Sequence, residues 1–229
     1  YLYMSNIKDI KKQYNDFNEH FSESIAKDDN ISRNAFYKSI SFDLRNKKLL
    51  DLACGDGQDI LEYQKRGAVC EGIDASDDLI ATAQKNFPEV TFMVGDMSKL
   101  PYENNTFDVV FSKYAIGTES DVNKVFSEVF RILKVGGVFM YLTTHPMRLF
   151  LEQEEGRKDY FTQKLVDLVV YGGKFTITEP SHTFNDFFTP DFFNMFDMLA
   201  FSEHYDPQSA DFPGRDIYPA FFIVTAQKK

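Results

Sequence analysis

Apolar runs alternate with amphipathic segments through the middle of the chain. Leu49–Ala53, Val69–Asp74, Val90–Val94, Phe107–Ser112 and Val138–Thr143 are short apolar runs that predict five strands. Between them fall segments with helical spacing. These are Gln58–Arg66, Asp78–Asn86 with Ser76 or Asp77 as its cap, and Asp121–Leu133. In the last, Val122, Val125, Phe126, Val129 and Ile132 share one side, and Val135-Gly136-Gly137 is expected to stop it. Such alternation predicts a parallel sheet with right-handed crossovers and helices on both faces. Residues 5–45 precede the first strand and read as two helices, with Tyr14, Phe17, Phe21 and Ile25 spaced like one apolar face.

The alternation breaks after residue 145. Pro146–Gly156 and Lys158–Val170 read as helices. Gly172-Gly173 opens Lys174–Phe188, which alternates like a β-hairpin broken at Pro180. Pro190–Leu199 reads as a short helix with Thr189 as cap and proline in its first turn. Ala200–Tyr205 and Ala220–Ala226 read as the closing strands. Seventeen of the 36 Phe and Tyr residues lie after residue 149. They serve either as extra core or as an aromatic lid walling a substrate pocket. The expected organisation is a single domain over 1–229. It comprises a helical cap (5–45), a ligand-binding core (46–145), a lid and substrate region (146–199) and closing strands (200–229).

Composition narrows the function classes. A chain of 229 residues at 43% hydrophobic can bury a substantial core. No apolar run approaches the length of a membrane span, and Tyr1 to Lys12 lacks an apolar signal core. Tyr1-Leu2-Tyr3 ahead of Met4 reads as an addition to the native start. The net charge of −10 disfavours nucleic acid and anionic membranes as partners. Cys54 and Cys70 fall in buried positions, so a reducing, cytoplasmic setting is expected rather than a disulfide framework. The four histidines are scattered and the two cysteines stand 16 apart, which leaves no metal set. Nothing here speaks to oligomeric state.

The chemistry concentrates at Leu49-Leu50-Asp51-Leu52-Ala53-Cys54-Gly55-Asp56-Gly57. A strand runs into a small-residue turn and then a helix, a nucleotide-binding corner in which Gly55 and Gly57 allow close backbone approach. The turn carries Asp51, Asp56 and Asp59 and no Lys or Arg, which argues for a cationic or neutral ligand. About 20 residues on, Asp74 within Gly72-Ile73-Asp74-Ala75-Ser76 can accept ribose hydroxyls. Gly95-Asp96-Met97 ends the third strand, and Ser112-Lys113-Tyr114-Ala115 follows the fourth.

Asp-x-Ala-x-Gly-x-Gly, with these strand ends in order, resembles motif I and its successors in Rossmann-like (class I) S-adenosylmethionine-dependent methyltransferases of small-molecule type. The resemblance covers residues 46–145 well and the flanks loosely. It implies a seven-stranded, mostly parallel sheet and S-adenosylmethionine as cofactor. It further implies cofactor contacts from Asp51, Ala53, Cys54, Gly55, Gly57, Asp74, Ala75, Asp96, Met97 and Ser112, with Tyr14 from the cap. Asp96 would meet the adenine amino group and Ser112 would line the methionine half. The family often has Gly where this chain has Ala53. The Asn/Asp-Pro-Pro-Tyr signature of amino-methylating DNA and protein enzymes is absent. His145-Pro146-Met147-Arg148, Asp159-Tyr160-Phe161 and His182-Thr183 look like a bacterial small-molecule subgroup.

For an acceptor that must lose a proton, His145 at the end of the fifth strand is the candidate base, His182 a second, and Tyr114 could orient the acceptor. His145 could equally anchor the lid. His20 and His204 read as ordinary, and Cys54 as packing rather than nucleophile. Expected pocket walls are Tyr114, His145, Phe175, Phe184 and Phe188. Two other readings compete: an NAD(P)-dependent oxidoreductase, which would need Gly-x-Gly-x-x-Gly at the turn, and a non-catalytic binding protein on the same fold.

Overall fold

The computed structural model describes residues 11–13, 15, 31–153, 156–170, 175–206 and 217–229, with Phe175 by its backbone alone. Tyr14, Phe17, His20, Phe21 and Ile25 lie outside them.

Strands β1 (Lys48–Leu52), β2 (Val69–Asp74), β3 (Thr91–Val94), β4 (Phe107–Lys113), β5 (Leu133–Thr144), β8 (Phe196–His204) and β9 (Phe221–Lys228) form one sheet. Their order is β3-β2-β1-β4-β5-β9-β8. The first five are parallel, while β9 runs antiparallel to both β5 and β8. Helices cover both faces because β1, β4 and β5 are apolar on each. Helix α1 (Ile31–Ser39), α2 (Ile60–Lys65) and α3 (Asp77–Asn86) pack on the face of Leu49, Phe111 and Leu142. Helix α4 (Val122–Ile132) covers the face of Leu50, Val110 and Tyr141, joined by α6 (Phe184–Phe187) and α7 (Pro190–Met195). The predicted apolar side of α4 is the buried one, and Ser76 caps α3 by accepting from the Leu79 amide.

The segment after β5 departs from the sequence expectation. Helix α5 spans only Pro146–Leu151. The helix expected over Lys158–Val170 is replaced by β6 (Leu165–Val170), which pairs with β7 (Phe175–Pro180) in a hairpin apart from the main sheet. The reason is local. Leu165-Val166-Asp167-Leu168-Val169-Val170 buries Val166 and Leu168 at period two, and three of its six residues are valines. The hairpin partner of β7 thus precedes it, and α6 follows where a second strand was expected. Helix α7 stops at Met195, four residues short of its expected end, because β8 begins at Phe196. Gly136-Gly137 does not end α4, which stops at Ile132. Both glycines lie inside β5, Gly136 in the left-handed region at φ +74°.

Candidate active site

The turn after β1 is left-handed at three positions: Ala53 (φ +60°), Gly55 (+56°) and Gly57 (+79°). Glycine adopts this freely and alanine does so under strain, a signature that concentrates at functional sites. The Asp74 carboxylate closes the turn from β2. It accepts the Gly55 amide at 2.9 Å and the Ser76 amide at 2.8 Å. Burial pushes the Asp74 carboxyl up, against the pull of those amides. Cys54 is buried, and burial followed by the Asp74 charge raises its thiol, which fits packing rather than nucleophilic chemistry. Asp96, beyond β3, holds its own turn by accepting the Ser98 amide and hydroxyl, both at 2.7 Å. Met97 packs at the edge of the α4-side core. Ser112 is fully buried at the end of β4, and its hydroxyl has no hydrogen-bond partner among the described residues.

Beneath the turn lies a charged cluster. Asp51 is 2% exposed, and its Oδ2 finds no partner among the described residues. Burial, then the nearby Asp59, drive its carboxyl well up. Asp59 is ion-paired with Lys113 from β4 and with Arg33 from α1, whose Nε lies at 3.3 Å. It also accepts from the Tyr37 hydroxyl. Burial works against its charge, but Lys113 and Arg33 prevail and hold its carboxyl low. Lys113 further sits 5.8 Å over the Phe36 ring and 5.6 Å over Tyr37. The two cations serve Asp59 and leave Asp51 with an unmatched oxygen. Its complement is a cationic donor, and the ammonium of an amino-acid moiety meets that description. The sequence reading missed Lys113 and Arg33 and gave Asp59 no role beyond the turn's acidity. It also missed Glu119, which burial and then Asp96 push up.

Beyond the ends of β4 and β5 the sheet divides the other expected residues. Tyr114 follows β4 in the left-handed region (φ +55°), its amide donating to the Leu142 carbonyl at 2.7 Å. Its ring packs edge-on against Phe221 at 6.3 Å, on the α1 face. His145, Phe184, Phe188 and His182 lie on the α4 face instead, where His145 meets Phe184 and Phe222 edge-on at 5.0 and 6.0 Å. Tyr114 thus stands on the opposite face of the sheet from His145, Phe184 and Phe188, and Phe175's side chain is outside the described residues. Both ring nitrogens of His145 are engaged. Nδ1 accepts the Met147 amide at 3.0 Å, capping α5, and Nε2 donates to Glu203 of β8 at 2.8 Å. Burial lowers its pKa, with Glu203 opposing. With both nitrogens so held, the ring has the partners of an anchor between α5 and β8. His182 donates from Nε2 to the Gly117 carbonyl at 3.0 Å and packs on Phe187. His204 stacks on Phe221. On the Tyr114 side, β7 supplies a group the sequence reading passed over. Glu179 is 3% exposed, and burial pushes its carboxyl up to about 7.

The described N-terminal residues reach both ends of this site. Lys11 Nζ pairs with Asp77 at 3.0 Å, and Asn15 donates to Asp77 at 3.2 Å. Gln13 accepts the Thr178 amide at 2.8 Å and donates to the same residue's carbonyl at 3.4 Å. No cluster of His, Cys, Asp or Glu among the described residues could hold a metal.

Comparison with known proteins bears on this geometry. A family described as a methyltransferase domain matches residues 50–141. An uncharacterised methyltransferase of Synechocystis sp. is 35% identical over 101 residues, 43% of this chain and 48% of that protein. A demethylmenaquinone methyltransferase of Streptomyces avermitilis is 33% identical over 101 residues, 44% of each. The matched stretch thus spans about half the length of these relatives. An S-adenosylmethionine-dependent methyltransferase structure from Mesorhizobium loti superposes with a TM-score of 0.71 at 22% identity, covering 87% of this chain and 99% of that one. At that identity the likeness speaks for the fold. The domain match falls on the half of the sheet that carries the Asp51 and Asp74 corner, and the shared fold extends the likeness beyond it. Residues 50–141 match a methyltransferase domain, and the chain shares the Rossmann-like fold of S-adenosylmethionine-dependent methyltransferase structures.

Proposed function

We propose that the protein transfers a methyl group from S-adenosylmethionine to a small-molecule acceptor by in-line displacement. The observation that carries the cofactor assignment is Asp51 near the end of β1, buried and with one carboxylate oxygen that has no partner among the described residues. It suits the methionine ammonium, and an acidic turn without Lys or Arg suits a ligand that has a sulfonium and no phosphate. Asp74 is placed to accept the ribose hydroxyls, while the Gly55 and Gly57 backbone, with Ala53 and Cys54, forms the floor. Ala75, Asp96 and Met97 line the adenine end, and Ser112 the methionine half. The cofactor supplies a methyl carbon activated by positive sulfur. The chain's part is to hold the partners in line and keep water out, effects worth on the order of 7–11 kcal/mol.

A small-molecule acceptor is favoured by the acidic balance of the chain, net −10, which repels nucleic acid. It is also favoured by relatives named as demethylmenaquinone methyltransferases in Streptomyces avermitilis and Lactococcus lactis. The described part contains no helix long and apolar enough to cross a membrane. The free thiols of Cys54 and Cys70 suit the reducing cytoplasm. His145 joins α5 to β8 as an anchor, and Tyr114 orients the acceptor. Calorimetric titration with S-adenosylmethionine, S-adenosylhomocysteine and NADH tests the cofactor. Binding of the first two and not the third is expected, and the reverse pattern refutes the assignment. An acceptor screen that finds transfer to RNA, DNA or protein alone refutes the small-molecule reading.

A further inference from the structure

The β6–β7 hairpin carries a carboxyl group to the Tyr114 side of the sheet. Val166 pairs with Glu179 and Leu168 with Ile177, and directly opposed residues share a face. Glu179 therefore lies on the face whose Val166, Leu168 and Ile177 pack on Leu149 of α5. Thr144, the last residue of β5, is its neighbour there. Thr144 pairs with Phe221 of β9, and Phe221 is the ring that Tyr114 packs against. Tyr114, Phe221, Thr144 and Glu179 thus follow one another along one side of the sheet's carboxyl edge. Lys113, one residue before Tyr114, reaches the Asp59 and Asp51 cluster. The run is continuous with the corner assigned to the methionine end of the cofactor.

Glu179 is buried, and its Oε1 has no hydrogen-bond partner among the described residues. An unmatched buried carboxylate oxygen is unfavourable unless a donor meets it. The charged and polar groups facing it are Arg148 of α5, Glu152 just after that helix and the Thr144 hydroxyl of β5, while β6 presents Val166. Arg148 is committed elsewhere, its Nε to Glu152 at 2.7 Å and an Nη to the Val169 carbonyl at 3.1 Å. No donor among the described residues meets Oε1, which leaves it open to a donor from a ligand.

We propose that Glu179 takes the proton from the methyl acceptor, and that the acceptor reacts through a hydroxyl or a neutral amine. This rests on the methyltransferase reading above. The acceptor's lone pair forms a bond to the methyl carbon, and the carbon–sulfur bond breaks with its pair kept on sulfur. The acceptor's O–H or N–H proton passes to Glu179 Oε1. One positive sulfur and one negative carboxylate enter the step. A neutral thioether and a neutral carboxylic acid leave it, which a site of low polarity favours. His145 and His182, on the other face, do not compete for this role.

The test reads the ionisation of Glu179 directly. Protein labelled with 13C at the glutamate carboxyls is titrated free, with S-adenosylhomocysteine and with S-adenosylmethionine, Glu179 being assigned by the resonance missing in Glu179→Gln. The two ligands differ by one methyl group and one positive charge. A sulfonium beside Glu179 should lower its pKa in the S-adenosylmethionine complex by about one unit or more relative to the other complex. Equal values in the two complexes overturn the proposal. Failure of both ligands to bind the wild-type protein overturns the methyltransferase reading instead. If Glu179→Gln does not fold, Glu179→Asp provides the same assignment, and the titration itself uses only wild-type protein.

Discussion

Asp74→Asn separates the two tasks this carboxylate performs. In the wild type it accepts amides from Gly55 and Ser76 at 2.9 and 2.8 Å. Asparagine is nearly isosteric but offers one carbonyl oxygen where the carboxylate offers two. One of the two amides must face an NH2 group instead, and an unmatched donor in the turn destabilises by about 1–3 kcal/mol. Cofactor affinity falls for a second reason. Hydrogen bonds from two ribose hydroxyls to a charged acceptor become bonds to a neutral one, a difference of about 1 kcal/mol each. The sum, about 2 kcal/mol, corresponds to roughly 30-fold weaker binding of S-adenosylhomocysteine. Isothermal calorimetry at 25 °C, with thermal unfolding of the free protein followed by circular dichroism, reads both effects. A folded Asp74→Asn protein that binds S-adenosylhomocysteine within threefold of wild type refutes the ribose role.

Three further predictions concern the cluster, the anchor and the cap. Lys113→Met strips Asp59 of an ion pair between groups only 15% and 11% exposed, so a loss of about 3 kcal/mol is expected near pH 8. The loss should shrink in acid as Asp51 and Asp59 take up protons, and urea unfolding that shows no pH dependence of the difference would reject this. His145→Ala should lower stability by about 3 kcal/mol, roughly 10 °C in midpoint, through a lost helix cap and a lost buried ring, while cofactor affinity stays unchanged. The folded pKa of His145 lies below its ordinary 6.5. Its contribution is therefore present above that value and lost as the pH falls through the folded one, and the variant should lack that acid-side decline. Hydrogen exchange over residues 10–40 should slow when S-adenosylhomocysteine binds, because Lys11 and Asn15 grip Asp77 beside the ribose corner. Equal exchange with and without ligand rejects a closing cap.

The β1 to β5 half of the sheet was legible because its signals are local. Each strand is one apolar run, each turn carries its glycine or aspartate, and Asp51, Asp74 and Asp96 fall at strand ends by spacing alone. The charged cluster was not legible. Asp59 meets Arg33 and Tyr37 from α1 and Lys113 from β4, and only the parallel pairing of β1 with β4 and the packing of α1 bring them together. The hairpin was misread because Leu165–Val170 carries enough apolar residues to satisfy a helical period as well as a strand's. With β6 taken for a helix, the strand of Glu179 was paired with the segment after Pro180 rather than with Val166 and its neighbours, so its face was misjudged. His145 was rightly placed at the end of β5, but which side of the ladder its ring would take depends on β8 and α6, far away in sequence.

The side-chain amide of Gln13 stands in for a strand residue. It both accepts from and donates to the backbone of Thr178, on the edge of β7 that β6 leaves uncovered. An uncovered strand edge is a template for pairing with another chain. Gln13 therefore masks, at one position, the backbone groups through which another chain could pair. The same short stretch carries Lys11 and Asn15, which hold Asp77, so one segment ties the edge of β7 to the start of α3.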